Sequence, residues 1–341
     1  MKLTTMGIDL AKNVIQVHGA DERGKRVLKK QLKRAQVLPF FANLTPCRIG
    51  MEACGGAHYW ARKLQGLGHT VQLIAPQYVK PFVKRNKNDA ADAEAICEAM
   101  MRPNMPTVPI KNIEQQAILS VHRARQGFVK ARTAQANQIR GLLAEYGMAI
   151  PKGIGHIAQR VPEILEDGEN DLPGSFRALI LRLLDHLKDL DRQVGELETD
   201  IQLWHKNNAA SQKLAKIPGV GPMTATAMTA SIGDARNFEN GRQLAAWLGI
   251  VPRQHSTGGK ATLLGISKRG DTYLRTLLIH GARSVVRVAE RKPDADPWIK
   301  QLLARRHKNV AAVALANKNA RTIWALLAHD REYQAHYAVA T

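Results

Sequence analysis

Short apolar runs separated by turns dominate the first third of the chain. The runs in MGIDLAK and NVIQVHGAD, joined by a tight turn, predict two strands, and KRVLKKQLK predicts a third strand at a sheet edge. RIGMEAC and TVQLIAP have the pattern of buried strands, and the segment HYWARKLQGLG between them is helix-like. NDAADAEAICEAMM predicts an Ala-rich helix. Residues 1–107 are therefore predicted to form an α/β domain.

Residues 108–207 have the pattern of two long helices, the first over roughly residues 112–146. The second helix repeats apolar residues at alternating spacings of four and three, which is typical of a coiled-coil seam. The seam residues are Phe176, Ile180, Leu183, Leu187, Leu190, Val194, Leu197, Ile201 and Trp204. An antiparallel pair within the chain and a coiled coil between subunits both fit this pattern. The region is interpreted as a coiled-coil linker or dimerisation element.

Residues 208–341 are predicted to be helical, and they are basic. From Pro252 to Ala328 there are 15 Lys and Arg residues against four Asp and Glu. The segment LAKIPGVGPMTATAMTASIGD predicts a helix–hairpin–helix, in which Gly219 and Gly221 allow backbone N–H groups to approach a DNA phosphate. A plain corner between two helices fits this segment equally well.

The net charge of the whole chain indicates which class of partner the protein binds. The 341 residues carry a formal charge of +21, which favours binding to polyanions. No apolar run approaches the ~20 residues that span a bilayer, so nucleic acid is the expected partner and no membrane association is predicted. Cys47, Cys54 and Cys97 form no CxxC pair, which favours reduced thiols in the cytoplasm.

Four acidic residues stand where strands end and a helix begins. Asp9 and Glu52 each end an apolar strand, and Asp89 and Asp92 lie one helical turn apart. Three early strands followed by helix–strand units is the layout of a ribonuclease-H-like fold, in which these positions gather at one sheet edge. Each residue alone is more easily explained as a turn or cap residue. Together they predict a site for Mg²⁺, with Mn²⁺ as the alternative, that serves phosphodiester cleavage.

The segment PRQHSTGGKATLLGISKRGDTYLRTLL contains a second candidate site. Ser256 stands before two glycines in a predicted flexible loop, with Lys260, Lys268 and Arg269 as candidate phosphate contacts. A serine before glycines is usually a turn hydroxyl, and a nucleophile needs a base or a metal to activate it. The residues alone therefore do not make Ser256 catalytic.

Taken together, these segments resemble the DEDD transposases of the bacterial insertion sequences called IS110, in particular their IS1111 subgroup. The resemblance covers essentially the whole chain and rests on GIDLAK, MEACGG, KNDAADAEAI, PGVGP and STGGK…GISKRGDTYLR, in that order. It implies a RuvC-like N-terminal domain, long coiled-coil helices and a C-terminal transposase domain. The four acidic positions of the family match Asp9, Glu52, Asp89 and Asp92. The resemblance also implies a location in the bacterial cytoplasm, close to the nucleoid.

The resemblance also implies a mechanism. The family's nucleophilic serine matches Ser256, ten residues before ISK, with Thr257 as the neighbouring alternative. It implies a dimer of dimers in which the acidic site of one subunit meets the serine of another, and a structured non-coding RNA from the element as guide for recombination. Two other functions fit the residues: a RuvC-like nuclease or junction resolvase that uses water, and a non-catalytic nucleic-acid-binding protein.

Overall fold

The chain divides into two compact units. A computed structural model describes residues 2–83, 89–258 and 260–335, without the side chains of Asp89, Ala90 and Ala261. The first unit comprises Met1–Gln115 and Ile232–Asn237, and the second comprises Gln116–Ser231 and Phe238–Thr341. The division into residues 1–107, 108–207 and 208–341 remains a prediction.

The first unit is a mixed α/β unit around a six-stranded sheet in the order β3-β2-β1-β4-β5-β6. Strands β1, β4 and β5 are parallel, whereas β2, β3 and β6 pair antiparallel with their neighbours. The expected strands are all present, and the lysine-rich third strand lies at the sheet edge as predicted. The strands are β1 (Thr5–Leu10), β2 (Val14–Ala20), β3 (Arg26–Lys33), β4 (Arg48–Glu52), β5 (Thr70–Ile74) and β6 (Thr107–Val108).

Helices cover both faces of this sheet. The four helices are α1 (Val37–Ala42), α2 (Ala57–Gln65), α3 (Pro76–Val79) and α4 (Asp89–Met100). Because side chains alternate along a strand, Ile8 and Met51 point to one face, where they form a core with Phe41 of α1 and Trp60 of α2. Helix α4 lies on the other face, against β1, β2 and β4.

The second unit is built mainly of helices. They are α5 (Ile113–Ala144), α6 (Ile154–Glu166), α7 (Gly174–Lys206), α8 (Ala209–Ala215), α9 (Pro222–Ile232), α10 (Gly241–Trp247), α11 (Thr272–Ala289), α12 (Pro297–Arg305) and α13 (Lys308–Ala328). Helix α13 packs against α10 and α11. Among the described residues, no helix is both long enough and apolar enough to cross a membrane.

The two long helices α5 and α7 pack against each other in an antiparallel arrangement. Arg125 pairs with Glu198 and Arg132 pairs with Asp191, so a step of seven residues forward in α5 is a step of seven residues back in α7. Apolar residues of α5, α6 and α7 share one buried cluster. The seam residues Ile180, Leu187, Leu190, Val194 and Ile201 are buried within the chain itself. Within the chain, α5 and α7 thus form the antiparallel pair that fits the seam.

The second unit also contains a β-hairpin that the helical prediction for residues 208–341 missed. Strands β7 (Pro252–Thr257) and β8 (Lys260–Ile266) pair antiparallel, with Thr257 opposite Lys260. Two residues separate the strands, and Gly258 has a φ of 55°. Two glycines between strand-like runs are a hairpin signal, because such turns need positive φ. The prediction that Ser256 lies in a flexible loop was therefore wrong: it lies in β7.

A buried histidine links three helices of the second unit. His122 of α5 contacts the hydroxyl of Tyr273 on α11 through Nδ1 at 2.8 Å, and that of Thr226 on α9 through Nε2 at 2.9 Å. Burial, together with the smaller effect of the positive charge of Arg125, lowers the pKa of His122 from 6.5 to about 4. His122 is therefore neutral in the folded protein at pH 7.

This pKa predicts a loss of stability in acid. Between pH 6.5 and 4 the unfolded chain protonates His122 while the folded chain does not, so the free energy of unfolding should fall by up to about 3 kcal/mol. In His122→Gln this part of the pH dependence should disappear, as measured by urea unfolding across that pH range. The exposed His280 provides the control His280→Gln, which should behave as wild type. The assignment is wrong if both variants keep the wild-type pH dependence.

Candidate active site

Asp9 and Glu52 lie side by side at the ends of two parallel strands. In the β1–β4 register, Gly7 is opposite Gly50 and Ile8 is opposite Met51, so Asp9 and Glu52 are the next pair. Both residues are half-buried. Neighbouring strands are ~4.8 Å apart, which brings the two carboxylates into one local site. The sequence prediction that these two strand ends meet at one sheet edge agrees with this register.

Helix α4 approaches this part of the sheet at backbone distance. A Cβ added to Gly7 would lie 2.1 Å from the carbonyl oxygen of Ala93 and 2.5 Å from the backbone nitrogen of Cys97. A Cβ added to Gly50 would lie 2.2 Å from the side chain of Met100. Only glycine leaves enough space for the helix at both positions. Since alternate residues share a face, Asp9 and Glu52 point to the same face of the sheet as these two glycines.

The direction of α4 relates its N-terminal end to the acidic pair. Its C-terminal residue Met100 accepts a hydrogen bond of 3.1 Å from Arg48, at the start of β4, while Ala93 lies over Gly7. The helix therefore runs antiparallel to β1 and begins, at Asp89, towards the Asp9 end. Asp92 is half-buried in the first turn. The side chain of Asp89 lies outside the described residues.

The thiol of Cys54 lies close enough to Glu52 and Asp9 for their negative charges to affect its pKa. Desolvation raises the pKa of its partly exposed thiol, and the negative charges of Glu52 and then Asp9 raise it further. The carboxylates of Glu52 and Asp9 therefore both lie near the thiol of Cys54. Oxygen ligands of this kind suit a hard divalent cation. Among the described residues, no group of three His, Cys, Asp or Glu side chains is arranged to hold a metal ion.

Ser256 lies on the exposed hairpin of the second unit. Its hydroxyl accepts a hydrogen bond of 2.8 Å from the amide of Gln254, two residues earlier on the same strand face. His255 pairs with Thr262 and, by the alternation of strand side chains, points to the other face. The hairpin therefore exposes the hydroxyl but does not place the adjacent histidine beside it. Thr257, the neighbouring hydroxyl, shares the face of His255.

The three candidate phosphate contacts near Ser256 do not form one cluster with it. Lys260 pairs with Thr257, which puts it on the opposite hairpin face from Ser256. Lys268 and Arg269 are exposed in the turn after β8. Lys268 has a φ of 56°, and its N–H donates to the carbonyl of Gly249 at 3.0 Å. The turn packs closely against the end of α10, since a Cβ added to Gly270 would lie 2.1 Å from the carbonyl oxygen of Trp247.

The glycines of PGVGP have different environments. Gly219 has a φ of 84°, and its carbonyl would lie 1.8 Å from a Cβ added to Gly281 of α11. Close packing of two backbones therefore explains Gly219 without any ligand. Gly221 is exposed, with nothing within 4 Å of an added Cβ, so it is the more accessible of the two glycines. The turn joins α8 and α9, as the predicted helix–hairpin–helix requires.

The sequence interpretation missed the significance of the two strand glycines. Gly7-Ile8-Asp9 and Gly50-Met51-Glu52 have the same pattern of glycine, large apolar residue and carboxylate. The register places the two motifs directly opposite each other. A repeated Gly-apolar-acid motif at the ends of two predicted parallel strands was the available signal for the helix contact beside the acidic pair.

Comparison with known proteins assigns the class. Residues 6–148, which include the four acidic candidates, match the DEDD transposase domain of IS110 type. Residues 211–301, which include Ser256, match the family described as "Transposase IS116/IS110/IS902 family". The protein is thus of the transposase class, a class of enzymes, and a DEDD domain suggests the use of a divalent metal ion.

The relatives extend over nearly the entire chain. A probable family 20 transposase of Pseudomonas aeruginosa is 54% identical over 98% of this chain and 99% of its own length. The transposase for insertion sequence element IS1111A of Coxiella burnetii is 46% identical, over 96% of this chain and 91% of its own. The transposase for IS1328 of Yersinia enterocolitica is 42% identical, over 94% and 96%. The chain belongs to the IS116/IS110/IS902 family of transposases.

The packing of α4 on β1 predicts a sharp effect of one methyl group. Gly7→Ala should lower the free energy of unfolding by about 1–3 kcal/mol, because the new Cβ has to displace helix backbone. Gly141→Ala on α5 is the matched control: nothing lies within 4 Å of its added Cβ, and alanine should be neutral or stabilising by up to ~1 kcal/mol in a helix. Urea unfolding measures both, and equal stabilities would contradict the close approach.

Proposed function

We propose that this transposase cleaves and rejoins DNA strands at a metal site formed by Asp9, Glu52, Asp89 and Asp92 on a RuvC-like fold. The observation that carries the proposal is the position of Asp9 and Glu52 on adjacent parallel strand ends, at the edge where α4 begins with two further aspartates. The four carboxylates would hold Mg²⁺, or Mn²⁺ in its place. When bound, such ions stabilise the attacking and leaving oxygens of phosphodiester cleavage.

The nucleophile in this proposal is the hydroxyl of Ser256. Its oxygen forms a bond to phosphorus and loses its proton, while the phosphorus–oxygen bond to the leaving sugar breaks and that sugar oxygen takes up a proton. One phosphodiester is exchanged for another, so a free hydroxyl on a second DNA strand can reverse the step and release the serine. The exposed position of Ser256 on the hairpin supports access by a DNA strand.

The assembly around these groups is part of the proposal. The carboxylates belong to the first unit and Ser256 to the second, which suits a composite site made by the acidic unit of one subunit and the serine of another within a dimer or tetramer. Lys260, Lys268, Arg269 and Gly221 would contact nucleic acid backbone. A structured RNA of the element would choose donor and target DNA by base pairing, in the bacterial cytoplasm.

A covalent adduct assay tests the serine step. Full-length protein with Mg²⁺, RNA from the element's non-coding flank and labelled element-end DNA should give a protein–DNA adduct that survives denaturing electrophoresis. Ser256→Ala should abolish the adduct, and Asp9→Asn should reduce cleavage by about a thousandfold or more. Thr257→Ala tests the neighbouring hydroxyl, and Ser284→Ala, an exposed serine of α11, is the matched control with wild-type behaviour.

The failures of this assay are informative. DNA cleavage without an adduct in wild type and Ser256→Ala would replace the serine mechanism with hydrolysis by water. An adduct that is lost in Thr257→Ala and kept in Ser256→Ala would move the nucleophile by one residue. Binding without cleavage under any metal condition would indicate a nucleic-acid-binding protein and reject the catalytic proposal.

A further inference from the structure

A row of polar residues crosses the sheet from the acidic pair to its edge strand. Glu52 is beside Asp9 at the end of the β1–β4 register. Asp9 is opposite Gln16 of β2, and Gln16 is opposite Gln31 of β3. Paired residues in a sheet point to the same face, so all four side chains lie on the face that carries α4. The row places Gln31 about 10 Å from Asp9, two strand spacings away.

The outer part of this row is accessible and already organised. The Gln16 amide donates to the amide oxygen of Gln31 at 3.3 Å. Gln31 is exposed and Gln16 is half-buried, whereas His18, next along the same face of β2, is buried. Helix α4 thus covers the part of the face around His18 and Gly7 and leaves the glutamines open beside its N-terminal end.

Two lysines flank Gln31 on the same face of the edge strand. Lys29 and Lys33 are two residues before and after it, so they share its face and lie ~7 Å to either side. Both are exposed, and neither has an acidic partner among the described residues. Lys30, between them in sequence, points to the other face, where its ammonium lies 4.9 Å from the ring centre of Phe40. Beside Gln31, the positive charge that β3 presents on the acidic-site face therefore comes from Lys29 and Lys33. Arg26 lies at the other end of β3, in a pocket that it shares with His18 and with Glu94 and Glu98 of α4.

We propose that Gln16, Lys29, Gln31 and Lys33 form a track that binds the phosphodiester backbone of the nucleic acid strand leading into the acidic site. The lysines would neutralise successive phosphates, and the amides would donate hydrogen bonds to phosphate or sugar oxygens without reading bases. The track deepens the proposed function, since it rests on that function for the strand's destination. Backbone binding by the track itself does not require cleavage.

A different explanation of these lysines is that they keep the exposed edge of β3 from pairing with other sheets. That role depends on lysines along the strand as a whole and not on one face. The two explanations therefore make different predictions. Backbone binding should depend on lysines of the α4 face alone, whereas edge protection should depend equally on lysines of either face of β3.

Salt dependence of binding in EDTA tests the track without any catalysis. Full-length Lys29→Gln/Lys33→Gln should bind nucleic acid more weakly, and the slope of log K against log salt should become shallower by about 2, one unit for each lost phosphate contact. The matched control Lys25→Gln/Lys30→Gln removes the same charge from the neighbouring turn and the other face. Its slope should change by less than half as much. Single-stranded DNA, duplex DNA and RNA are measured separately, and the one with the largest slope change identifies the strand in the track.

A second variant tests the track even if the double lysine variant fails to fold. Gln31→Glu keeps both lysines and changes only an exposed amide, and its negative charge should also weaken binding, severalfold more at low salt than at high salt. Equal losses in the track and control double variants would overturn the proposal, because net charge alone would then explain binding. Unchanged binding combined with self-association of Lys29→Gln/Lys33→Gln would also overturn it in favour of edge protection. Because no metal is present, these results are independent of the adduct assay.

Discussion

The close contact between α4 and two adjacent strands determines the geometry of the first unit's candidate site. Gly7 and Gly50 lie opposite each other, and the backbone of α4 approaches Gly7 while the side chains of Ile96 and Met100 pack on Gly50. The contact fixes the helix direction, because Ala93 lies over Gly7 while Met100 accepts from Arg48. An Asp-rich helix start is thereby directed to the edge that carries Asp9 and Glu52. Packing of apolar groups elsewhere holds the sheet, but the absence of two Cβ atoms lets α4 approach β1 and β4 beside Asp9 and Glu52.

Much of this unit was predictable because its signals are local. Apolar runs identified the strands, and the lysines of β3 identified an edge. The convergence of Asp9 and Glu52 followed from a general property of parallel strands, whereas the row from Asp9 to Gln31 required the actual register of three strands. A shift of one residue would have moved every side chain to the other face. Hydrophobic patterning alone does not fix register to one residue across several strands.

The second unit shows where such reasoning fails. The hairpin around Ser256 was missed because its strands are exposed and lack the clear apolar alternation of a half-buried strand. The Gly-Gly pair was interpreted as flexibility, although two glycines between short runs also satisfy a tight turn. Gly219 was interpreted as a phosphate contact, yet its close approach to Gly281 accounts for it. In the proposed mechanism, Ser256 would be activated by groups outside the hairpin, and local sequence spacing carries no information about them.

The pairing of α5 with α7 has a consequence for how this family can change length. The ion pairs Arg125–Glu198 and Arg132–Asp191 are seven residues apart in each helix, in opposite chain directions. This spacing fixes which face of each helix is buried in the seam. Inserting one residue would rotate everything beyond it by about 100° and turn buried leucines towards water. Seven residues added to both helices would nearly restore the phase. Viable relatives in which this helix pair is longer or shorter should therefore differ by whole heptads in both helices. The length of this region then evolves in discrete steps that the two helices take together.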